Sequence, residues 1–223
     1  MNVIKPTTSL TTLFMVFALV FIPVSFAETN NATLKEALEL DRDGFYEEAI
    51  VHWEKLRKEA PTNIRLFAGL KLSRTHSKLF NLIEAEEVAK ALAESHPEKY
   101  EAWFSFANAS GALKKYPQAI NAFKKTVELK PDEGLGKVGL AIAYFGNEKP
   151  DLAIAELKGA MKIFKANKNI SWYRDSRLAI RQIKDFARFP PKYANLWLEK
   201  NLKRIQDTFE NSVLDYESML ETP

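Results

Sequence analysis

The stretch Gly134-Leu135-Gly136-Lys137-Val138-Gly139 spells G-x-G-x-x-G, a pattern whose glycines let a backbone approach a dinucleotide pyrophosphate. That chemistry needs a strand before the loop and an acidic residue about 20 positions after it. Here a helical pattern ending at Pro131 precedes the motif, and Gly139 and Leu140 continue into the next helical pattern. The glycines are therefore expected to serve close packing at a helix start, at about 1 kcal/mol of helix propensity each. The histidines, His52, His76 and His96, are scattered without metal-ligand spacing. His76 and His96 fall near expected helix ends, where the negative dipole end favours a cation. Carboxylate pairs such as Glu47/Glu48 and Glu86/Glu87 are adjacent on helical stretches, so their side chains diverge. The chain has no cysteine, which removes disulfides, thiol nucleophiles and thiolate metal sites. No Ser/His/Asp order is visible either, so no catalytic, cofactor-binding or metal residue is assigned and no enzyme is expected.

A second group of chemistry-bearing residues is electrostatic. Between Ala160 and Ile205 there are 12 bases and 3 acids, whereas Gln206 to Pro223 holds 5 acids and no base. Arg174, Arg177, Arg181, Lys184 and Arg188 step by three and four, which places them on one helix face. Such a stripe suits anionic lipid headgroups or an acidic protein surface. The plainer reading is a solvated face partly neutralised by the acidic C-terminal stretch folding near it. Over the whole chain the net charge is only +3, which gives no argument for nucleic-acid binding.

The elements that carry these residues are helical. With 46% apolar and 27% charged residues, the 223-residue chain has the composition of a folded protein. Residues 1–27 have the form of a secretory signal peptide. Lys5 supplies the basic start, Leu13 to Ile22 is a ten-residue apolar run, and Pro23 and Ser25-Phe26-Ala27 set up cleavage after Ala27. The run is short for a membrane span, although an uncleaved signal anchor is the alternative. Export without cysteine fits a bacterial periplasm. Sequons at Asn31, Asn108 and Asn169 are expected to be chance matches.

From Asn30 onward the chain repeats. Tyr100 to Pro131 holds Trp103, Phe106 and Ala107 on one expected helix face and Tyr116, Ala119, Ile120 and Phe123 on a second. Pro61, Pro97 and Pro131 recur with a period near 34. These features resemble tetratricopeptide repeats, helical hairpins in which bulky residues of one helix enter notches left by small residues of the next. The resemblance implies an all-α, right-handed superhelical solenoid of about four hairpins over residues 28–167, with units near 30–63, 64–99, 100–133 and 134–167. The second unit is the weakest. Its first helix has two possible registers, with Phe67 and Leu70 or Leu66 and Gly69 turned inward, and its two extra residues are expected to lengthen the turn around Ser77 to Asn81. Residues 168–223 form a helical cap, with Ser171 capping a helix that runs to Phe189 and a final helix spanning about Lys192 to Leu220.

In this repeat family the inner helices line a groove for peptides or helices. The matching positions here are Leu34, Leu38, Phe104, Asn108, Val138, Ile142 and Phe145, an unusually apolar set. The family's carboxylate clamp falls on Leu34, Leu38, Ser105, Leu135 and Gly139 and is therefore absent. The reading is a non-catalytic scaffold or adaptor of the bacterial cell envelope, without a cofactor, whose groove takes a partner helix or apolar peptide. Its partners are envelope proteins, with an anionic membrane surface as a further candidate and no nucleic acid. The alternative is a membrane-tethered form held by the N-terminal segment and the basic stripe. Whether the last helix fills the groove itself is left open by the sequence.

Overall fold

The computed structural model describes residues 26–186 and 191–214. Among the described residues ten helices follow one another: α1 (Phe26–Asp43), α2 (Tyr46–Glu59), α3 (Thr62–Lys78), α4 (Leu82–Ser95), α5 (Tyr100–Ala112), α6 (Tyr116–Leu129), α7 (Gly134–Gly146), α8 (Pro150–Ala166), α9 (Ile170–Asp185) and α10 (Pro191–Val213). No strand occurs among the described residues. Residues 1–25 of the expected signal peptide, together with Arg188, Phe189, Tyr216 and Leu220, lie outside them, while Phe26 and Ala27 begin α1.

From α1 to α9 each helix packs on the next, and α3, α5 and α7 also touch in sequence. That pattern is a solenoid with an inner row of odd-numbered helices and an outer row of even-numbered ones. Each inner-to-outer turn contains a left-handed residue, at Gly44, Phe80, Lys114 and Glu148, spaced 36, 34 and 34 apart. Only the first is glycine, so three turns hold a conformation that costs an L-residue about 1–2 kcal/mol.

The two extra residues of the second unit do not lengthen the turn. They lengthen the helix: α3 has 17 residues where α5 and α7 have 13. It starts directly after Pro61, the N-cap, whose backbone is still extended at ψ 158°. Neither register of α3 excludes the other, since Leu66, Phe67, Gly69 and Leu70 are all buried. Phe67 meets Trp53 edge to face at 6.0 Å, while a Cβ on Gly69 would lie 2.8 Å from Leu92.

The notch logic holds at its centre. Trp53, Ala119 and Phe123 are fully buried. Rings occupy the glycine notches of α7: added Cβ atoms would stand 2.4 Å from Phe164 at Gly134, 2.1 Å from Phe123 at Gly139 and 2.3 Å from Tyr116 at Gly146. The G-x-G-x-x-G letters therefore lie within a helix and receive side chains of neighbouring helices. Trp103 is only half-buried, its Nε1 donating to the Pro97 carbonyl at 2.9 Å, and Phe104 takes the interior place. In the extension, Asn169 rather than Ser171 caps α9, its Oδ1 accepting from the Trp172 amide at 3.2 Å. The described helix ends at Asp185.

Candidate functional site: a groove with a helix in it

Helix α10 meets its chain neighbour α9 through side chains, Trp197 on Gln182 and Arg204 on Asp175 and the Trp172 ring, while its backbone lies elsewhere. It returns across the inner row to lie on α5 and α7. Its apolar stripe Trp197, Leu198, Leu202, Ile205 and Phe209 is buried, as is Leu214 just after the helix. Phe209 stacks on Phe104 with centroids 4.4 Å apart, and Phe104 in turn meets Phe123 edge to face at 5.8 Å. At the other end Trp197, Phe145 and Phe186 form a three-ring cluster with centroids 5.3 to 5.7 Å apart. Trp197 Nε1 donates to Gln182 Oε1 at 2.8 Å, which satisfies its polar edge inside the cluster. Between these anchors Leu202 fits over Gly111, whose added Cβ would lie 3.1 Å from its Cδ2.

Of the groove residues expected from the sequence, Phe104, Asn108 and Phe145 border α10 directly. Leu34, Val138 and Ile142 are buried in the continuous core, and Leu38 packs half-buried against it. Under Phe209 and Leu214 the floor turns polar: Ser73, Ser77, Ser105 and Asn108 line a cavity of about 20 Å³, room for one water. Asn108 Nδ2 donates to the Phe104 carbonyl, while its Oδ1 has no donor among the described residues. Burial of this side chain agrees with reading its sequon as chance.

An ion network the sequence did not announce fixes the C-terminal half of α10. Lys71 Nζ reaches Asp41 at 2.6 Å and Glu210 at 2.9 Å. Lys78 Nζ pairs with the same two carboxylates at 3.1 and 2.9 Å, and Arg74 pairs with Glu210 at 2.9 Å and with Asp207. Burial by itself would raise the Glu210 carboxyl; the Lys71 and then the Lys78 ammonium overcome it and hold it down to about 2. For Lys78, burial lowers its pKa, and Asp41 and Glu210 reverse that into a net rise. Asp41 and Lys71 are both over nine-tenths buried, so each depends on the other's charge. The signal was present as Lys71, Arg74 and Lys78 at steps of three and four in an apolar helix, matched by Asp207 and Glu210 three apart.

That network alters one expectation. Asp207 and Glu210 of the acidic stretch pair with α3, away from the α9 stripe. On α9, Arg174, Arg177, Arg181 and Lys184 are exposed beside Leu178, and Arg188 lies outside the described residues. The pKa of His76 is lowered by burial, partly opposed by Glu84 and Glu54, so it is no cation at its helix end near neutral pH. His52 Nδ1 lies 3.7 Å from Glu36, and His96 Nδ1 contacts Ser95 Oγ at 2.9 Å. Among the described residues no group of three or more His, Cys, Asp or Glu side chains is placed to hold a metal, and no helix is long and apolar enough to cross a membrane.

No protein-family model and no curated protein sequence matches the chain. Solved structures do resemble it. The crystal structure of MamA superposes with a TM-score of 0.58 at 16% identity, over 78% of this chain and 96% of that one. MamA from Desulfovibrio magneticus RS-1 (residues 41 to the end) gives 0.61 at 13% identity, over 83% and 98%. YrrB, described as a TPR protein with an unusual peptide-binding site, gives 0.56 at 17% identity, over 68% and 75%. At these identities the likeness is one of fold, and the fold is the tetratricopeptide-type solenoid.

Proposed function

We propose that the protein is a non-catalytic interaction scaffold whose concave groove receives an amphipathic helix. One observation carries this: the groove already holds a helix, with Phe209 stacked on Phe104 and Trp197 edge-on to Phe145. A surface that accepts 23 residues of amphipathic helix in cis has the width, rings and charge to accept one in trans. The fold shared with YrrB, whose own structure is described as having a peptide-binding site, supports the reading by analogy. The scaffold would work in the bacterial envelope after cleavage of residues 1–27, serving envelope proteins.

Phe104, Val138 and Ile142 are too buried for a charge there to report on binding alone. The test therefore places a photoreactive residue at Ser77 or Ser105, which line the groove, and as control at Glu87, exposed on the outer helix α4. Partner crosslinks are expected from the groove positions. Crosslinks from Glu87 with none from Ser77 or Ser105 would refute a groove receptor. A mature mass beginning at Glu28 in the soluble envelope fraction tests the location. A second reading rests on the exposed cations of α9 beside Leu178, which is 51% exposed: the stripe holds the protein on an anionic membrane surface, with residues 1–23 retained as an anchor. Release by salt washing would refute that tether.

A further inference from the structure

We infer that α10 is a competing occupant of the groove, and that the partner which displaces it is an amphipathic helix with an acidic C-terminal end, carrying an aromatic residue beside the carboxylates of that end. This rests on the groove reading above and adds both regulation and partner chemistry. Without α10, the inner face of α3 presents Lys71, Arg74 and Lys78 against Asp41 alone, so the open groove has excess positive charge. With α10 seated, Asp207 and Glu210 cancel that excess. The charge lies at one end of a floor of rings, so selection requires two features together. An aromatic must stack on Phe104, and carboxylates one position after it and two before it must meet the α3 cations. Phe209, Glu210 and Asp207 meet that specification.

The seated helix leaves one part of the floor without a protein donor, beside the cavity that has room for one water. Asn108 is 2% exposed, and its Oδ1 has no donor beneath the Phe209 ring. A partner that repeats this acidic end and places an N–H or O–H in the small cavity lined by Asn108 adds a direct hydrogen bond where α10 leaves only room for a water. A helix tethered in cis wins by proximity until such a partner arrives, so the groove is closed to weak binders and open to matched ones.

The experiment uses the full chain carrying Gly111→Cys and Leu202→Cys. An added Cβ at Gly111 would lie 3.9 Å from Leu202 Cγ, and no native cysteine competes. The probe is a fluorescein-labelled peptide copying residues 191–214, read by anisotropy. Oxidation, checked by loss of free thiols, locks α10 in place; reduction frees it. The reduced chain should bind the peptide at least tenfold more tightly than the oxidised one. A peptide with Asp207→Lys and Glu210→Lys should not bind. Equal affinity of oxidised and reduced chains, with the peptide crosslinking to Ser105, overturns competition by α10 but keeps the helix receptor. Should the Cys variant fold poorly, a chain with Asp207→Lys and Glu210→Lys loosens α10 instead and should bind the unmodified peptide more tightly than wild type. No binding by either the reduced chain or this charge variant overturns the inference and the groove receptor together. A dimer formed by exchanged α10 helices would assign the groove to a second copy and overturn the acidic partner.

Discussion

Replacing Gly139 by alanine separates a packing role from a ligand-binding role for the G-x-G-x-x-G letters. Alanine is the better helix former by about 1 kcal/mol, so an open site would gain stability. The site is closed. The new Cβ would stand 2.1 Å from Phe123 Cε1 and 2.4 Å from its Cζ, well inside van der Waals contact. Phe123 cannot swing away cheaply, because it is fully buried and Phe104 meets it edge to face at 5.8 Å. Overpacking a core in this way costs about 1–3 kcal/mol and more where rings are boxed. Taking the upper end against the propensity gain leaves a net loss of about 2 kcal/mol. For a chain of this size that lowers Tm by about 4–8 °C. The assay is thermal unfolding followed by circular dichroism at 222 nm. An unchanged or raised Tm for Gly139→Ala would mean that Phe123 does not occupy the notch, and the stacking of α6 on α7 would have to be redrawn.

The Glu210 carboxyl is held at about 2 when α10 is seated, against 4.5 when it is free, so its contribution is fully present above pH 4.5 and disappears as pH falls through about 2. This is worth on the order of 3 kcal/mol. Amide exchange of residues 191–214 should accelerate over that window, and Glu210→Gln should flatten the dependence. Phe209→Ala removes the ring stacked on Phe104 and should weaken α10 docking by about 3 kcal/mol, a roughly hundredfold rise in exchange confined to α10; exchange spread evenly over α1–α8 would contradict a separate docking step. Phe80, 84% exposed at φ 61°, occupies the place that Gly44 holds in the first unit, so Phe80→Gly should raise stability by about 0.5–1 kcal/mol in a urea titration. Arg181→Glu together with Lys184→Glu should abolish any cosedimentation with vesicles of anionic lipid while leaving helicity unchanged; retained sedimentation would remove the α9 stripe from the membrane reading.

The solenoid was legible because its period is written in prolines and its notches in alanines and glycines. Pro61, Pro97 and Pro131 each precede an inner helix, and Ala49, Ala119 and Ala153 are each wholly buried on an outer one. Finer placements depended on choices that sequence leaves nearly degenerate. Trp103 and Phe104 differ by one position, a turn of about 100° on a helix, so which ring enters the core rests on neighbours from other helices. Asn169 and Ser171 are both competent caps two residues apart. The destination of α10 was the largest gap. An amphipathic stripe says that a helix must be covered, without saying by which surface. The pairing of Lys71, Arg74 and Lys78 with Asp207 and Glu210, like the stacking of Phe209 on Phe104, joins residues more than 100 positions apart in the chain.

That separation also sets an order of events as the chain emerges N-terminus first, from the ribosome or, under the envelope reading, from the export channel. The hairpins that build α1 to α8 need only their neighbours, so each condenses as it emerges. Helix α10 is the last described element to be made, and its carboxylates reach α3 only after nearly the whole chain has been translated. At about 5–20 residues per second this interval is on the order of 10 s. Throughout it the nascent cradle stands uncovered, with its rings and cations available to whatever helix is nearby. A newborn molecule would thus meet competitors before its own tail, an advantage that a finished molecule no longer grants them.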